Sequence, residues 1–281
     1  MLVRRLCLLL CSLLLVACAS QPLSLQEVRD FSVQSVKLTG YAELSTRFRD
    51  TYQREHPYLP PTADKQAREN DSKRRALYGE FISVQKTLVL YMQTLGVLAG
   101  DARFDLSAQV DDLGASLHAN AEVGLDQRHV DAYSSLTRLL THVIASGYQS
   151  RSVETMVRDG DTDVQLLLEA MINLTRYYAK THANEKRTVL GLFEVELPFT
   201  KPQDRLLATL ARVHYLNKVT EYQLVEKRFD LAAQGLSKVA LGHQRLREHL
   251  HDVHGEELRA QLRQIGADLR RIYNSLERDT I

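Results

Sequence analysis

Along most of this chain apolar residues recur every three or four positions, and the run from Tyr222 follows the rule most cleanly. Tyr222, Val225, Phe229, Ala232, Leu236, Val239, His243, Leu246, Leu250 and Val253 alternate spacings of three and four; after Gly255 the pattern resumes as Leu258, Leu262, Ile265, Leu269, Ile272 and Leu276. Sustained alternation of this kind marks helices packed side by side at a shallow angle, and the intervening glycine predicts an antiparallel hairpin. Leu236, Leu246, Leu262 and Leu269 should be buried there, with Arg245, Arg247, Arg259 and Arg263 in water. Upstream, Leu206, Leu210 and Val213 fall out of register with this seam, which predicts a stutter between Leu216 and Tyr222.

The same periodicity organises the rest. A first helix is expected over residues 24–55, with Val28, Phe31, Leu38, Leu44 and Phe48 inward and an irregularity at Gly40; Pro57 and the Pro60-Pro61 pair end it. A second, over 62–99, carries Leu77, Phe81, Val84, Leu88, Tyr91, Leu95 and Leu98. No charge falls between Thr87 and Gly100, which predicts a core helix enclosed on most sides and too short in its apolar part to span a bilayer. A short helix is expected near 106–118. Asp126 should cap the next, whose apolar positions are Val130, Tyr133, Leu136, Leu140 and Val143, with Gly147 continuing the stripe and a stop near Gly160. Asp161 then caps a helix burying Val164, Leu167, Met171, Leu174 and Tyr178 and running to about Phe193. Val195, Leu197 and Phe199 alternate with Glu194, Glu196 and Pro198, which predicts an extended, tucked-in segment to Pro202. The expected fold class is all-α: an elongated antiparallel helical bundle with long helices and a coiled-coil-like C-terminal hairpin over 222–281.

The N-terminus breaks the pattern. Arg4 and Arg5 precede an apolar block from Leu6 to Leu15, with small residues before Cys18, the layout of a secretory signal. Leu15-Val16-Ala17-Cys18 resembles the lipobox of bacterial lipoproteins. The resemblance covers residues 1–20 and implies a signal peptide over 1–17, a palmitate-bearing, acylated Cys18 as the new N-terminus, a lipidated tether over 18–23 and a body over 24–281. Ala19 is not the aspartate that marks inner-membrane retention, so the implied address is the periplasmic face of the outer membrane. Stable anchoring needs more than one acyl chain, as a triacylated cysteine provides.

Composition narrows the function classes. Cys7 and Cys11 lie in the signal, which leaves Cys18 as the one thiol of the mature chain and closes disulfide, catalytic-cysteine and cysteine-zinc chemistry. Without Arg4 and Arg5 the chain holds 34 basic and 35 acidic residues, interspersed, so charge makes no case for a nucleic-acid partner. Gly-x-Ser-x-Gly, His-Glu-x-x-His, P-loop and Gly-x-Gly-x-x-Gly motifs are absent, and no cofactor is expected.

His243 occupies a core position of the heptad seam and is the most unusual polar residue there, where a histidine hydrogen-bonding across the hairpin fixes register more readily than it binds metal. Glu248 and His251 share a helix face, as in di-iron bundles, but those need a second Glu-x-x-His pair, and Asp126 to His129 is the nearest substitute. The abundant tyrosines, Tyr91, Tyr133, Tyr177, Tyr178 and Tyr222 among them, are expected as core aromatics, with a tyrosine-lined pocket as the sharper alternative.

The segments RRALYGEFISVQKTLVLYMQTLGVLAGD and RTVLGLFEVELPF resemble uncharacterised helical lipoproteins of Gram-negative bacteria. That resemblance implies no activity. The expected function is a non-catalytic interaction or scaffold module, held to the bilayer through Cys18 and contacting another envelope protein. A bundle binding a small apolar ligand or a metal is the alternative, and an enzyme assembled from distant residues the third. An exposed apolar stripe would favour the first; an enclosed pocket with convergent polar groups would favour the second.

Overall fold

A computed structural model describes residues 25–37, 40–100, 105–113, 117–147 and 152–278. Among them the chain is helical almost throughout, in nine α-helices: α1 (Gln26–Val36), α2 (Gly40–Arg49), α3 (Thr51–Glu55), α4 (Pro61–Leu98), α5 (Ser107–Asp111), α6 (Gln127–Ala145), α7 (Val153–Glu196), α8 (Arg205–Glu248) and α9 (Glu256–Arg278). The expected signal peptide and tether, with Cys18, lie outside the described residues.

Helix α7 is the central column, packing on α8, α6, α4, α2 and α3, while α9 folds back along α8 and against α1. The core runs unbroken from Val28 and Phe31 through Phe81, Tyr91, Leu136 and Leu174 to Leu246, Leu262 and Leu269, and Tyr41, Phe48, Phe81 and Tyr178 stack at its centre. By length and composition α4 could cross a membrane, yet over half of its most apolar window is buried inside the bundle, with Phe81, Val84, Leu88, Tyr91 and Leu95 all enclosed. That is how an uncharged helix segment behaves as the middle of a core.

The hairpin seam is where the spacing placed it. Leu236, Leu246, Leu262 and Leu269 are buried; Arg247 and Arg263 are exposed, Arg245 is half-buried, and Arg259 reaches Glu27 of α1 at 3.1 Å. Asp126 caps α6: its carboxylate accepts from the Arg128 and His129 backbone N–H groups, and His129 Nδ1 accepts from the Asp126 N–H, a capping box with histidine in the usual glutamate place.

Four expectations are corrected. The rod expected over 24–55 is three helices. It breaks after Lys37 and again at Asp50, where Arg54 Nη2 donates to the Arg47 carbonyl at 2.6 Å across the bend. Gly147 does not continue a stripe: at φ 63° it sits in the left-handed region just past the end of α6, which stops at Ala145 rather than near residue 160. Gly160 and Asp161 are not a stop and a cap but interior residues of α7, which Ser152 caps by accepting from the Thr155 N–H. The extended segment ending at Pro202 is instead helix to Glu196, followed by the 3₁₀ turns Leu197–Phe199 and Pro202–Asp204, and Val195 and Phe199 are exposed rather than tucked in.

Candidate functional site

Three features could carry chemistry or recognition, and each follows from how α7 and α8 are placed. The first surrounds His243. Its ring is fully buried; Nδ1 donates to Asp161 Oδ1 at 2.9 Å, and Nε2 lies 2.8 Å from the Tyr91 hydroxyl oxygen, which also stands 3.2 Å from the Met156 carbonyl. The partners therefore sit on α7 and α4, not across the hairpin on α9. A Cβ at Gly160 would stand 2.8 Å from Tyr91 Cε2, so the bare glycine is what lets the tyrosine ring reach this position. Every polar atom of the imidazole is used, which describes a clamp on three helices.

The second is a buried charge network. Glu185 on α7 is 1% exposed in its side chain; Arg54 grips it with both Nε and Nη2, at 2.9 and 2.8 Å, and the Tyr222 hydroxyl donates to it at 3.1 Å. Arg47 stands 3.6 Å away and donates to Glu221 at 2.9 Å. Beside it His182 donates from Nε2 to the Tyr222 carbonyl at 3.3 Å, while its buried Nδ1 has no partner. Burial, with the Arg47 charge acting in the same direction, holds the His182 imidazole below its ordinary range; burial and the neighbouring Glu185 push the Tyr222 hydroxyl far up.

Below about pH 6.5 the unfolded chain's histidine takes up a proton that the folded imidazole refuses, so stability falls as pH drops from there toward the lower folded value. Urea unfolding between pH 7.5 and 5 should show this loss, and His182→Gln should flatten it. Equal pH slopes for the two proteins would remove His182 as the cause.

The third is at the far end of the α7–α8 hairpin. A satellite core of Val189, Leu190 and Tyr222, with Phe193 and Tyr215 packed on it, closes the bundle there. Beyond it the apolar residues face water: Phe199 is 81% exposed and Leu206 74%, with Val195, Leu207, Leu210, Val213 and Leu216 all more than half exposed. Leu206, Leu210 and Val213 are the positions out of register with the hairpin seam. The phase shift that spoils the coiled-coil pattern turns this stripe outward while α8 itself stays continuous.

Beside the charge network, α2, α3, α4 and α7 border a cleft of about 850 Å³ containing Phe48, Arg74 and Tyr177. Sequence reading missed it because its walls combine residues 48–77 with the turn at 120–122 and with 177–184, which only the packing of the bundle brings together. Arg74, one of three consecutive cations in a polar helix half, gave no signal.

Among the described residues no group of three His, Cys, Asp or Glu side chains is placed to hold a metal. Glu248 is engaged by Gln244 and Arg245, His251 is exposed beyond the end of α8, and Asp126 and His129 cap a helix. No protein-family model, curated protein or solved structure matches this chain.

Proposed function

We propose that this protein is a non-catalytic helical interaction module, tethered to the outer membrane through an acylated Cys18, which presents an apolar helix face to a complementary groove on another envelope protein. The observation that carries this reading is the exposed apolar tip of the α7–α8 hairpin. A contiguous apolar surface left in water on a folded helix end is characteristic of a docking site, and Leu206, Leu210 and Val213 have the spacing by which one helix face enters a groove.

The position of α1 supports the same reading. Arg259, one turn into α9, pairs with Glu27 near the start of α1, so the first described helix begins beside the start of α9. The apolar tip lies at the opposite end of α8, roughly 60 Å away at 1.5 Å per residue. The seven residues from Cys18 to Leu25 span at most about 25 Å. An anchor at one end and a sticky tip at the other suits a spacer that reaches a partner held away from the lipid surface.

A photo-crosslinking residue at Leu206 or Phe199 of the full-length protein should capture one defined envelope protein, and the same residue at exposed Arg270 should not. Leu206→Glu together with Leu210→Glu should abolish the product while changing stability by no more than about 0.5 kcal/mol, as for other exposed sites. Cys18→Ser should release the protein from the membrane fraction and reduce capture. A product that survives both glutamates, or one made of two copies of this chain, would overturn the assignment of partner and surface.

A further inference from the structure

Helix α8 carries one face from the body of the bundle out to the tip, and what covers that face changes along its length. Leu206, Leu210 and Val213 lie about five turns above Leu224, Arg228 and Leu231, and Leu206 lies about ten above Gly242. In the body the face is covered. Phe31 of α1 rests on Gly242, Glu43 of α2 pairs with Arg228, and one turn further along α2 Arg47 donates to Glu221 at 2.9 Å. There the cover stops. At Asp50 the chain bends away and α3 packs on α7; the following turn, His56–Tyr58, brings the Tyr58 hydroxyl 2.7 Å from His214 Nε2, at the edge of the face rather than on it. From Asn217 out to Leu206 the same face is in water, with Leu206, Leu210 and Val213 each more than half exposed. The stripe therefore continues an interface that the molecule itself uses lower down, and it begins where α2 would lie if it ran straight on past Asp50.

Charge narrows what could take that place. Both contacts of α2 with this part of α8 are ion pairs. Beside the uncovered stripe stand Arg205 and Arg212, exposed, seven residues apart and so on one flank of α8, and neither guanidinium has a partner among the described residues. The acidic groups of the tip are elsewhere: Glu194 and Glu196 belong to α7, and Asp204 lies about five turns above the inward-facing Tyr222, so it is turned toward α7. An apolar stripe with two cations along one flank is complementary to an amphipathic helix with carboxylates along one flank.

Building on the docking role proposed above, we infer that the partner's groove is walled by an acidic amphipathic helix that lies along α8, end to end with α2. Its apolar face rests on Leu206, Leu210 and Val213, and its carboxylates meet Arg205 and Arg212. Tyr58 bounds it on the other side.

The test places a photo-crosslinking residue in the full-length protein, one position at a time, at Leu206, Leu210, Val213 and Asn217. All four should capture the same envelope protein, because a helix laid along α8 touches each turn down to the end of α2. Sequencing of the adducts should place them in one acidic stretch of the partner, at the three-and-four spacing of a helix face. With the crosslinker at Leu206, Arg205→Glu together with Arg212→Glu should cut the yield at least about tenfold, since like charges then face each other. Arg205→Lys together with Arg212→Lys should keep most of it. Both positions are exposed, so all four variants should melt with the wild type. Capture at Leu206 but not at Asn217, adducts scattered over separate segments of the partner, or a yield indifferent to charge reversal would overturn the acidic helix while leaving the docking surface in place. No capture from any of the four positions would overturn the docking role and this inference with it.

Discussion

Replacing Glu185 by alanine should lower the unfolding free energy by about 3 to 5 kcal/mol, the range found when one member of a buried ion pair is removed. The carboxylate is the meeting point of Arg54, Arg47 and the Tyr222 hydroxyl. Without it, the Arg54 guanidinium, about four-fifths enclosed, loses its counter-charge, Arg47 keeps only Glu221, and Tyr222 loses its acceptor. The contacts cross from α2 and α3 to α7 and α8, so the loss falls on the joints between helices rather than on any one helix. Urea unfolding of Glu185→Ala at pH 7 measures it. Glu185→Gln should lose less, because a neutral amide oxygen still accepts from Arg54 and Tyr222. A loss below about 1 kcal/mol in the alanine variant would mean that solvent replaces the carboxylate without cost, as it does for surface pairs.

Phe31→Ala should cost a comparable 3 to 5 kcal/mol, about what deleting a fully enclosed aromatic ring costs. The ring is completely buried and rests on α8 at Gly242, where an added Cβ would stand only 2.2 Å from Phe31 Cε2. Helix α1 has eleven residues, too few to persist alone in water; it packs on α4 and α9, with this ring and Val28 buried beneath it. Loss of the ring should therefore show both in the global melt and as rapid amide exchange confined to α1. Gly242→Leu should undock the same helix from the other side. Phe31→Ala combined with Gly242→Leu should be less destabilised than the two separate losses added together, since the leucine enters the space that the ring vacates. Strict additivity would show that the two positions do not share that space.

Much of the architecture was legible because it is local. The three-and-four spacing over 222–276 requires only that a helix present one apolar face, and the residues it selects, from Phe229 and Leu236 to Leu262 and Leu269, are the buried ones. Pro60-Pro61 and Asp126 mark helix boundaries through backbone chemistry that no distant residue can undo: a missing N–H in one case, a carboxylate on free N–H groups in the other. The outward stripe at Leu206, Leu210 and Val213 was also visible, as a defect of register.

What the tertiary structure decided lies where a residue's local meaning is overruled by something far along the chain. Gly160-Asp161 has the form of a helix stop followed by a cap, yet α7 runs through it, because the glycine admits the Tyr91 ring and the aspartate accepts from His243. Val195 to Phe199 alternates like a strand, but no neighbouring strand exists among the described residues to take its backbone hydrogen bonds, so the chain keeps its helical turns and leaves the apolar side chains in water. Arg54 and Arg74 look alike in sequence, both in charged helical stretches. One is gripped at two atoms by a glutamate on α7 and the other lies enclosed between Asp71 and Glu55 at 3.8 and 4.0 Å, a difference set by which helices pack around each, and periodicity carries no record of that.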